Sequence, residues 1–289
     1  MKTKKSSKAK ISNLFAALTM IICLVIGFLM WKYVMGNPAN FEGYITPDKL
    51  MADPSLHQIN PSDSNVMPVA GNLLGMIFKG GYIVPVLMGM LLMALVFSIE
   101  RYFAITKAEG KGNLSKFVQA VKAKISGGQM ADAKEMCDKQ KGSVANVVRA
   151  ALVKYDEVTA EGFDSDKAAE SLGKEIEEAT SLEMPALQNN MTIISTLVSL
   201  GTLFGLLGTV TGMIRAFSGL AHAGTPDQAA LATGISEALV NTATGIATSI
   251  IATISYNYFT SKIDTLTYFI DEAGATITET YRKLKGQKK

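Results

Sequence analysis

One acidic residue, Glu237, interrupts an apolar stretch that otherwise carries no charge from Gln228 to Ser261. An ionisable side chain inside an apolar membrane helix costs a few kcal/mol, so such residues usually face a cavity or a bundle interior and handle ions or protons. The alternative is that Glu237 lies in water at the outer rim. The run Thr225–Gln228 is typical of a helix start, and a start there places Glu237 about 18 Å along the helix. This spacing favours an enclosed carboxylate.

Small polar side chains follow Glu237 along the same predicted helix. Hydroxyl groups both donate and accept hydrogen bonds, so a row of them can hold water or relay a proton. The alternative is that small hydroxyl residues only let helices pack closely in lipid, and packing is the expected role at most of these positions. The row consists of Asn241, Thr242, Thr244, Thr248, Ser249, Thr253 and Ser255.

Four glycines at 4-3-4 spacing share one helical face of the preceding apolar stretch. They are Gly201, Gly205, Gly208 and Gly212. Two of their intervals are GxxxG motifs, whose flat surface lets another backbone approach closely. We therefore expect helix packing on this face. Thr209 and Thr211 lie beside it and could face either a pore or a neighbouring helix.

Several other patterns do not qualify as sites. The glycine-rich run 205–212 is not followed by the lysine of a phosphate-binding loop. The run Thr209–Gly212 lies in a predicted helix, not in the re-entrant loop of a potassium filter. His57 and His222 have no cysteine or histidine at ligand spacing, so no metal site is predicted. With no nucleophile–base pair in the sequence, we predict no catalytic residues, no cofactor and no enzyme.

The elements that must position Glu237 are membrane helices. Of the 289 residues, 48% are hydrophobic and 18% are charged, fewer charges than in an ordinary soluble domain. Four stretches approach the roughly 20 apolar residues that a span needs. The stretches are Leu14–Trp31, Gly80–Ile99, Met191–Ile214 and Ile235–Phe259.

Cys23 lies in an apolar run and Cys137 in a charged region, so no disulfide is expected.

Lysine and arginine set the predicted orientation. They are sparse between the first two spans and absent from 216–234, but abundant at both termini and in 100–183. Both termini and the middle region are therefore expected in the cytoplasm. A secretory signal peptide also fits the first stretch, but the apolar run is long and no clear cleavage site follows, which favours an uncleaved anchor.

The region between the second and third spans shows helical stripes of apolar residues. Ser143 is placed to cap one of these helices. The third span is expected to continue a long helix from Asp164, kinked near Pro185. The fourth span is expected to continue past the membrane, because its apolar residues keep a 3-4 spacing. The stripes are Leu114, Phe117, Val118, Val121, Ile125; Val144, Val147, Val148, Ala151, Leu152, Tyr155; Ala168, Leu172, Ile176, Ala179, Leu182; and Ile263, Leu266, Ile270, Ala273, Ile277.

The predicted fold class is all-α: a polytopic membrane protein with long helices that extend into a cytoplasmic helical domain and assemble as an oligomeric bundle around a central pore. The predicted order is an N-terminus with a first anchor (1–35), an outer segment (36–79), a second transmembrane helix (80–102), a cytoplasmic domain (103–185), a third transmembrane helix (186–217), a short outer loop (218–232), a fourth transmembrane helix (233–260) and a C-terminal helix with a basic tail (261–289).

Two of these stretches resemble the MotA/TolQ/ExbB proton channel family, and ExbB in particular. The run Gly205–Ile214, followed by Phe217, resembles the signature of the penultimate span of ExbB and TolQ. The run Gly234–Thr242 resembles the start of their final span, and Glu100-Arg101 resembles the boundary between a span and the cytoplasm. The two motifs in this order, across a short loop, make the resemblance specific. It covers roughly residues 80–270.

The resemblance implies a bacterial inner-membrane protein with a periplasmic segment at 36–79. It implies a pentamer of this subunit around a dimer of single-span ExbD- or TolR-like subunits, in membrane lipid and without nucleic acid. Proton flow would drive mechanical work, delivered through a TonB- or TolA-like protein. Carried over residue by residue, Glu237 matches the intramembrane glutamate, and Thr242 and Thr209 match threonines that line the ion pathway toward the partner.

Two departures from the family pattern stand in the sequence. Four spans replace the usual three, and Thr202 stands where many relatives have proline. A rival interpretation is a non-conducting scaffold that binds a single-span partner through Glu237. A second rival, a secondary transporter, would show more spans, internal repeats and broken helices. The coupling ion, proton or sodium, stays open, as does the cargo.

Overall fold

The computed structural model describes residues 2–53, 55–63, 66–222 and 228–286. Helices make up most of this part of the chain, and its one isolated β-bridge joins Phe41 and Pro68. The predicted all-α class is confirmed. The α-helices are α1 (Lys2–Leu29), α2 (Pro47–Ala52), α3 (Leu73–Phe78), α4 (Val84–Glu109), α5 (Leu114–Ser126), α6 (Met130–Gln140), α7 (Ser143–Ala160), α8 (Ser165–Gln188), α9 (Met191–His222) and α10 (Gln228–Gly286).

Four helical stretches of the described chain are long and apolar enough to cross a membrane. They are Leu14–Met35 and parts of Gly81–Ser126, Ser165–Ser218 and Leu231–Lys283. Many of their large apolar side chains, such as Leu14 and Leu239, are exposed on the single chain. A helix surface of this kind needs lipid or other helices as its surroundings. The protein is a multi-pass membrane protein.

The chain divides into two compact units. It passes from one to the other between Ser98 and Ile99, between Thr192 and Ile193, and between Ser255 and Tyr256. We call the part that holds α1 to α3, the first half of α4, most of α9 and the first half of α10 the span unit. The part that holds α5 to α8 and the remaining segments is the helical unit.

In the span unit, α1 and α4 touch through two glycines. A Cβ atom at Gly27 would lie 2.6 Å from the backbone nitrogen of Gly89. A Cβ atom at Gly89 would lie 3.0 Å from the Cα of Leu24. Backbones that approach this closely leave no room for a side chain, which is the usual contact between small residues in membrane helices. The first span is thus packed against the second.

The outer segment forms a small lobe in the span unit. Its prolines begin short helices rather than preventing them: Pro38 and Pro47 each occupy a first helical position, where the missing N–H costs nothing. Phe41 and Phe78 are buried with Met35, and Trp31 stacks on Phe78 with ring centroids 4.8 Å apart. This aromatic cluster holds the lobe to the end of the first span and the start of α4.

The core of the helical unit consists of the predicted stripes. Those of α5, α7 and α10 are confirmed, because their side chains are buried, with Leu114 half-buried. At the end of α10, Tyr281 packs edge-on against Tyr155, with ring centroids 5.0 Å apart. The α8 stripe is wrong at its last position, where Leu182 is 52% exposed.

Two local predictions are wrong. The helix expected to run unbroken from Asp164 into the third span ends at Gln188, and α9 begins at Met191. Asn190 between them has a φ of 58°, a left-handed conformation that asparagine tolerates better than most residues. Pro185 lies inside α8.

Ser143 is the first residue of α7 and makes no cap, because Gly142 holds the N-cap position. The predicted helix start falls on residues 225–227, outside the described chain.

The Glu100-Arg101 pair organises the break between α8 and α9. Arg101 is buried and donates from Nη1 to the carbonyl oxygens of Ala186 and Leu187, each at 3.3 Å. These carbonyls end α8 and have no partner within the helix. Glu100 accepts from Arg101 Nε at 2.7 Å and from Asn190 Nδ2 at 3.1 Å. The pair therefore caps the C-terminus of α8.

Cys137 should resist alkylation in the folded protein. Its thiol is buried in the helical unit, and burial together with the nearby Asp138 raises its pKa to about 12. Only the thiolate reacts, so iodoacetamide at pH 8 should modify Cys137 at least ~100-fold more slowly than in the denatured chain. The rate should keep rising with pH up to about 12. Peptide mass spectrometry measures this, and equal rates in folded and denatured protein would contradict it.

Candidate functional site

The glycine face of α9 packs directly on α10. A Cβ atom at Gly245 would lie 2.5 Å from the carbonyl oxygen of Gly201 and 2.8 Å from the Cα of Gly205. One at Gly212 would lie 2.9 Å from the carbonyl oxygen of Gly234. Because both helices present glycine, their backbones are in contact. This contact fixes which polar residues of α10 lie opposite which residues of α9.

Glu237 lies in the span unit and is paired within the chain. Arg215 Nη1, near the end of α9, donates to Glu237 Oε1 at 2.6 Å. The two partners differ in environment: the Glu237 side chain is 10% exposed and that of Arg215 is 52% exposed. The Arg215 guanidinium also lies over the ring of Tyr82, 5.8 Å from its centroid. The enclosed carboxylate of Glu237 is thus paired with the guanidinium of Arg215, whose side chain is half-exposed.

The turn before α4 closes over this carboxylate. Gly81 has a φ of 78°, and a Cβ atom there would overlap Glu237 Oε1. The preceding carbonyl, of Gly80, accepts from Asn241 Nδ2 at 2.8 Å. Asn241 is fully buried, one helical turn beyond Glu237. The Gly80-Gly81 turn therefore fixes both polar side chains, and only glycine permits this approach at a positive φ.

One polar atom next to Glu237 has no hydrogen-bond partner among the described residues, namely Asn241 Oδ1. A buried acceptor without a donor is costly, by about 1–3 kcal/mol. A water or a proton-carrying group beside Glu237 would satisfy it. The polar neighbourhood of Glu237 thus has spare accepting capacity.

Half of the hydroxyl groups in the row on α10 are occupied within their own helix. Thr244, Thr248 and Thr253 donate to the carbonyl four residues earlier, at 2.7 to 2.9 Å. Such bonds satisfy the hydroxyl without any ion pathway. The packing role expected for most of the row therefore fits these three positions. Any proton relay would have to use other hydroxyl groups of the row.

Two hydroxyl pairs cross between α9 and α10. Thr202 Oγ1 and Ser249 Oγ lie 2.9 Å apart. Thr209 and Thr242 also share a hydrogen bond, and they face the carbonyls of Gly205 at 3.2 Å and Ala238 at 3.1 Å. This second pair has two protons for three acceptors, so either hydroxyl can donate across the interface. A pair that can reverse its direction is suited to proton relay.

The structure brings together only part of the predicted ion pathway. Thr209 and Thr242 bond to each other, whereas the side-chain hydrogen bond of Glu237 goes to Arg215. Within the described residues neither threonine bonds to Glu237. Arg215 and the Gly80-Gly81 turn were missed by the sequence analysis. The signal for Arg215 was its position, as the first charge after the uncharged run that ends at Ile214.

Known proteins resemble the part of the chain that carries this geometry. Residues 140–272 match the MotA/TolQ/ExbB proton channel family, and they include Arg215, Glu237 and both threonines. The Tol-Pal system protein TolQ of Pseudomonas aeruginosa is 32% identical over 124 residues, 43% of this chain and 54% of TolQ. The predicted resemblance of this chain to the MotA/TolQ/ExbB family is confirmed.

Two further relatives are similar to this chain to a comparable extent. A putative biopolymer transport protein, ExbB-like 3, of Synechocystis is 33% identical over 114 residues, 39% of this chain and 54% of the relative. The biopolymer transport protein ExbB of Pseudomonas putida is 26% identical over 146 residues, 50% of this chain and 44% of the relative. The chain thus spans about half the length of the curated relatives it matches. The family match at residues 140–272 includes Arg215 and Glu237 but neither the first two spans nor the Gly80-Gly81 turn.

Proposed function

We propose that this chain is an ExbB-like stator subunit of the bacterial inner membrane that conducts protons and converts the proton-motive force into mechanical work. One observation carries the proposal: a single carboxylate, Glu237, is enclosed in the span unit and held by Arg215 at 2.6 Å. An ionisable residue at such a place is a functional site by default. The match to a proton channel family supports proton as the coupling ion.

The pair with Arg215 suggests how a proton acts. The enclosed charge of Glu237 is stable only beside an opposite charge, and removing that partner would leave it uncompensated. Protonation of Glu237 would release Arg215, which is half-exposed and free to meet an acidic partner. Each charge that crosses the membrane provides about 2.3 kcal/mol per 100 mV, so a few protons can drive a conformational step.

The assembly we propose follows what the family resemblance of the sequence implies. The subunit would form a homo-oligomer, a pentamer in our proposal, around single-span ExbD- or TolR-like subunits and would act on a TonB- or TolA-like protein of an envelope system. The exposed apolar faces of α9 and α10 are surfaces that such contacts would cover. Both termini would lie in the cytoplasm, as the distribution of lysine and arginine predicts.

Proton flux tests the proposal. The chain is co-expressed with its single-span partner and reconstituted into liposomes, and uptake is followed with a pH-sensitive dye under an imposed potential. Glu237→Gln keeps the size of the side chain and can still accept from Arg215, but it cannot release a proton. We expect its flux to fall to that of protein-free liposomes with the partner retained. Loss of the partner from this variant would support the scaffold instead, and unchanged flux would refute proton conduction through Glu237.

A matched pair of threonines tests the relay. Thr242→Val removes a hydroxyl that is bonded to Thr209, and Thr244→Val removes one that bonds only to its own helix among the described residues. In the same liposome assay, flux should fall about tenfold for Thr242→Val, since one positioned proton-transfer group contributes at least this much. Thr244→Val should conduct like the wild type. Equal behaviour of the two variants would assign both hydroxyls to packing.

A further inference from the structure

The helical unit contains a cavity of about 490 Å³ that the ion pathway does not use. It lies where the end of α4, the start of α7 and the last turns of α8 meet. Its polar lining comes from three lysines, a serine, an asparagine and a glutamate: Lys107, Lys111, Lys141, Ser143, Asn146 and Glu183. Cavities of this size hold small molecules or head groups.

The cavity concentrates positive charge that has no partner. Within the described residues, none of its three lysines makes an ion pair, whereas most other lysines of the helical unit do. Among the exceptions, Lys116 and Lys167 lie outside the cavity. The one carboxylate in the lining, Glu183, accepts from Asn146 Nδ2 at 3.1 Å. The paired lysines are Lys122, Lys124, Lys134, Lys139, Lys154, Lys174, Lys262 and Lys283.

The wall of the cavity offers hydrogen-bond donors. Ser143 lines it and is only 4% exposed, yet in the described chain its hydroxyl has no hydrogen-bond partner. It is also the first residue of α7, an 18-residue helix whose N-cap, Gly142, has no side chain to accept from the first-turn amides. Free amides at a helix N-terminus attract anions. The Ser143 hydroxyl and these amides thus face a space lined by lysines.

The loops that carry the lysines are held together by their backbones. Lys111 N donates to the carbonyl oxygen of Gln140 at 2.8 Å. Gly110 and Gly142 have φ values of 80° and 89°, and a Cβ atom at either would overlap the opposite loop. Lys141 itself has φ 58° and ψ −179°, a conformation that is nearly exclusive to glycine. The chain keeps a lysine there at a cost in backbone strain.

We propose that this cavity binds a phosphate group. Several ammonium groups, a hydroxyl and the N-terminus of a helix match the oxygens of a phosphate, which accept from several directions at once. The phosphate can belong to an anionic lipid head group or to a soluble compound. The lipid source is favoured by sequence position, since Lys107 comes eight residues after the apolar stretch of α4, about 12 Å along the helix. Basic residues directly inside a span attract anionic lipids.

Lysine labelling of the full-length protein tests the site and separates the two sources. Delipidated protein in a neutral detergent is treated with an amine-acetylating reagent, with and without inorganic phosphate. The same protein is then labelled in nanodiscs of phosphatidylcholine, with and without phosphatidylglycerol. Mass spectrometry gives the rate at each lysine, and Lys116 and Lys167 serve as internal references because they are unpaired and outside the cavity.

We expect the three cavity lysines to react about tenfold more slowly when about nine-tenths of the sites are filled, while the two references change little. Protection by inorganic phosphate identifies a soluble ligand, and protection only by phosphatidylglycerol identifies a lipid head group. Equal slowing of cavity and reference lysines in both arms would overturn the proposal.

Variants decide whether the lysines act as one site. Lys107→Gln with Lys111→Gln should abolish the protection of Lys141, whereas the matched double variant Lys116→Gln with Lys167→Gln should preserve it. Lys141→Gly removes a charge and relieves backbone strain, so it should weaken the protection of Lys107 and Lys111 without loss of fold. Full protection of Lys141 in the first double variant would refute a shared phosphate site.

Discussion

Replacing Gly245 with alanine should drive α9 and α10 apart and destabilise the span unit by about 3 kcal/mol. The added Cβ atom would lie 2.5 Å from the Gly201 carbonyl oxygen and 2.8 Å from the Gly205 Cα. Both are backbone atoms, which cannot rotate away as a side chain can, so the helices themselves must move. The movement would also separate Thr209 from Thr242, and proton flux should fall together with thermal stability.

Gly173 provides the control for this substitution. It lies within α8, and a Cβ atom there would meet nothing within 4 Å. Because alanine is a better helix former than glycine, Gly173→Ala should stabilise the protein by about 0.5–1 kcal/mol. Thermal unfolding of both variants in the same detergent measures the contrast. A Gly245→Ala variant that melts with the wild type would show that the two backbones are not in contact.

Replacing Gly81 with alanine should disrupt the pair of Glu237 and Arg215. The new Cβ atom would overlap Glu237 Oε1, and the positive φ of 78° adds strain for any residue with a side chain. Strain of this kind costs about 1–2 kcal/mol, and an ion pair with one half-exposed partner contributes about 1 kcal/mol, well below the value for a fully buried pair. We expect a total loss of about 2–3 kcal/mol, with loss of flux, measured by thermal unfolding and in liposomes.

Gly71 separates the two contributions. It has nearly the same φ, 80°, but a Cβ atom there would meet nothing within 4 Å. Gly71→Ala therefore introduces the backbone strain without a steric contact with another residue. A double-mutant cycle gives a second check, since Gly81→Ala should cost less in a Glu237→Ala background. If Gly71→Ala and Gly81→Ala destabilise equally in the wild-type background, the turn does not press on Glu237.

The helical stripes were predictable because burial in a helix leaves a periodic trace in the sequence. The 3-4 spacing from Ile263 to Ile277 identified a buried face of α10, and the 4-3-4 glycines identified the face of α9 that packs on Gly234 and Gly245 of α10. The apolar length of the four spans is a similarly direct signal, since lipid requires it. These features depend on one segment at a time.

Features that depend on two segments were not predictable. The break at Asn190 requires the Glu100-Arg101 pair to satisfy the end of α8, and that partner lies about 85 residues away in the chain. Ser143 has the residue type of a cap, but the positive φ of Gly142 moves the cap one residue earlier. Sequence spacing contains neither fact, because both result from how loops meet in space.

The candidate site shows the same division. Glu237 stands out in the sequence because a carboxylate is rare in an apolar helix. Arg215 does not, since an arginine directly after a span looks like an ordinary boundary residue. Gly81 is missed for the opposite reason: a glycine before a helix is common, and its role appears only when the Glu237 carboxylate is found against it. The sequence therefore predicted the acidic residue, Glu237, but neither the Arg215 that pairs with it nor the Gly81 that packs against it.

The contact between Gly27 and Gly89 has an evolutionary consequence. A generic anchor can drift in sequence as long as it stays apolar, and exposed positions of α1 such as Leu14 have that freedom. Gly27 does not, because a side chain there would collide with the backbone of α4. In proteins that share this contact, these two positions should remain small together or change in concert. The first two spans are thus constrained as a fitted pair.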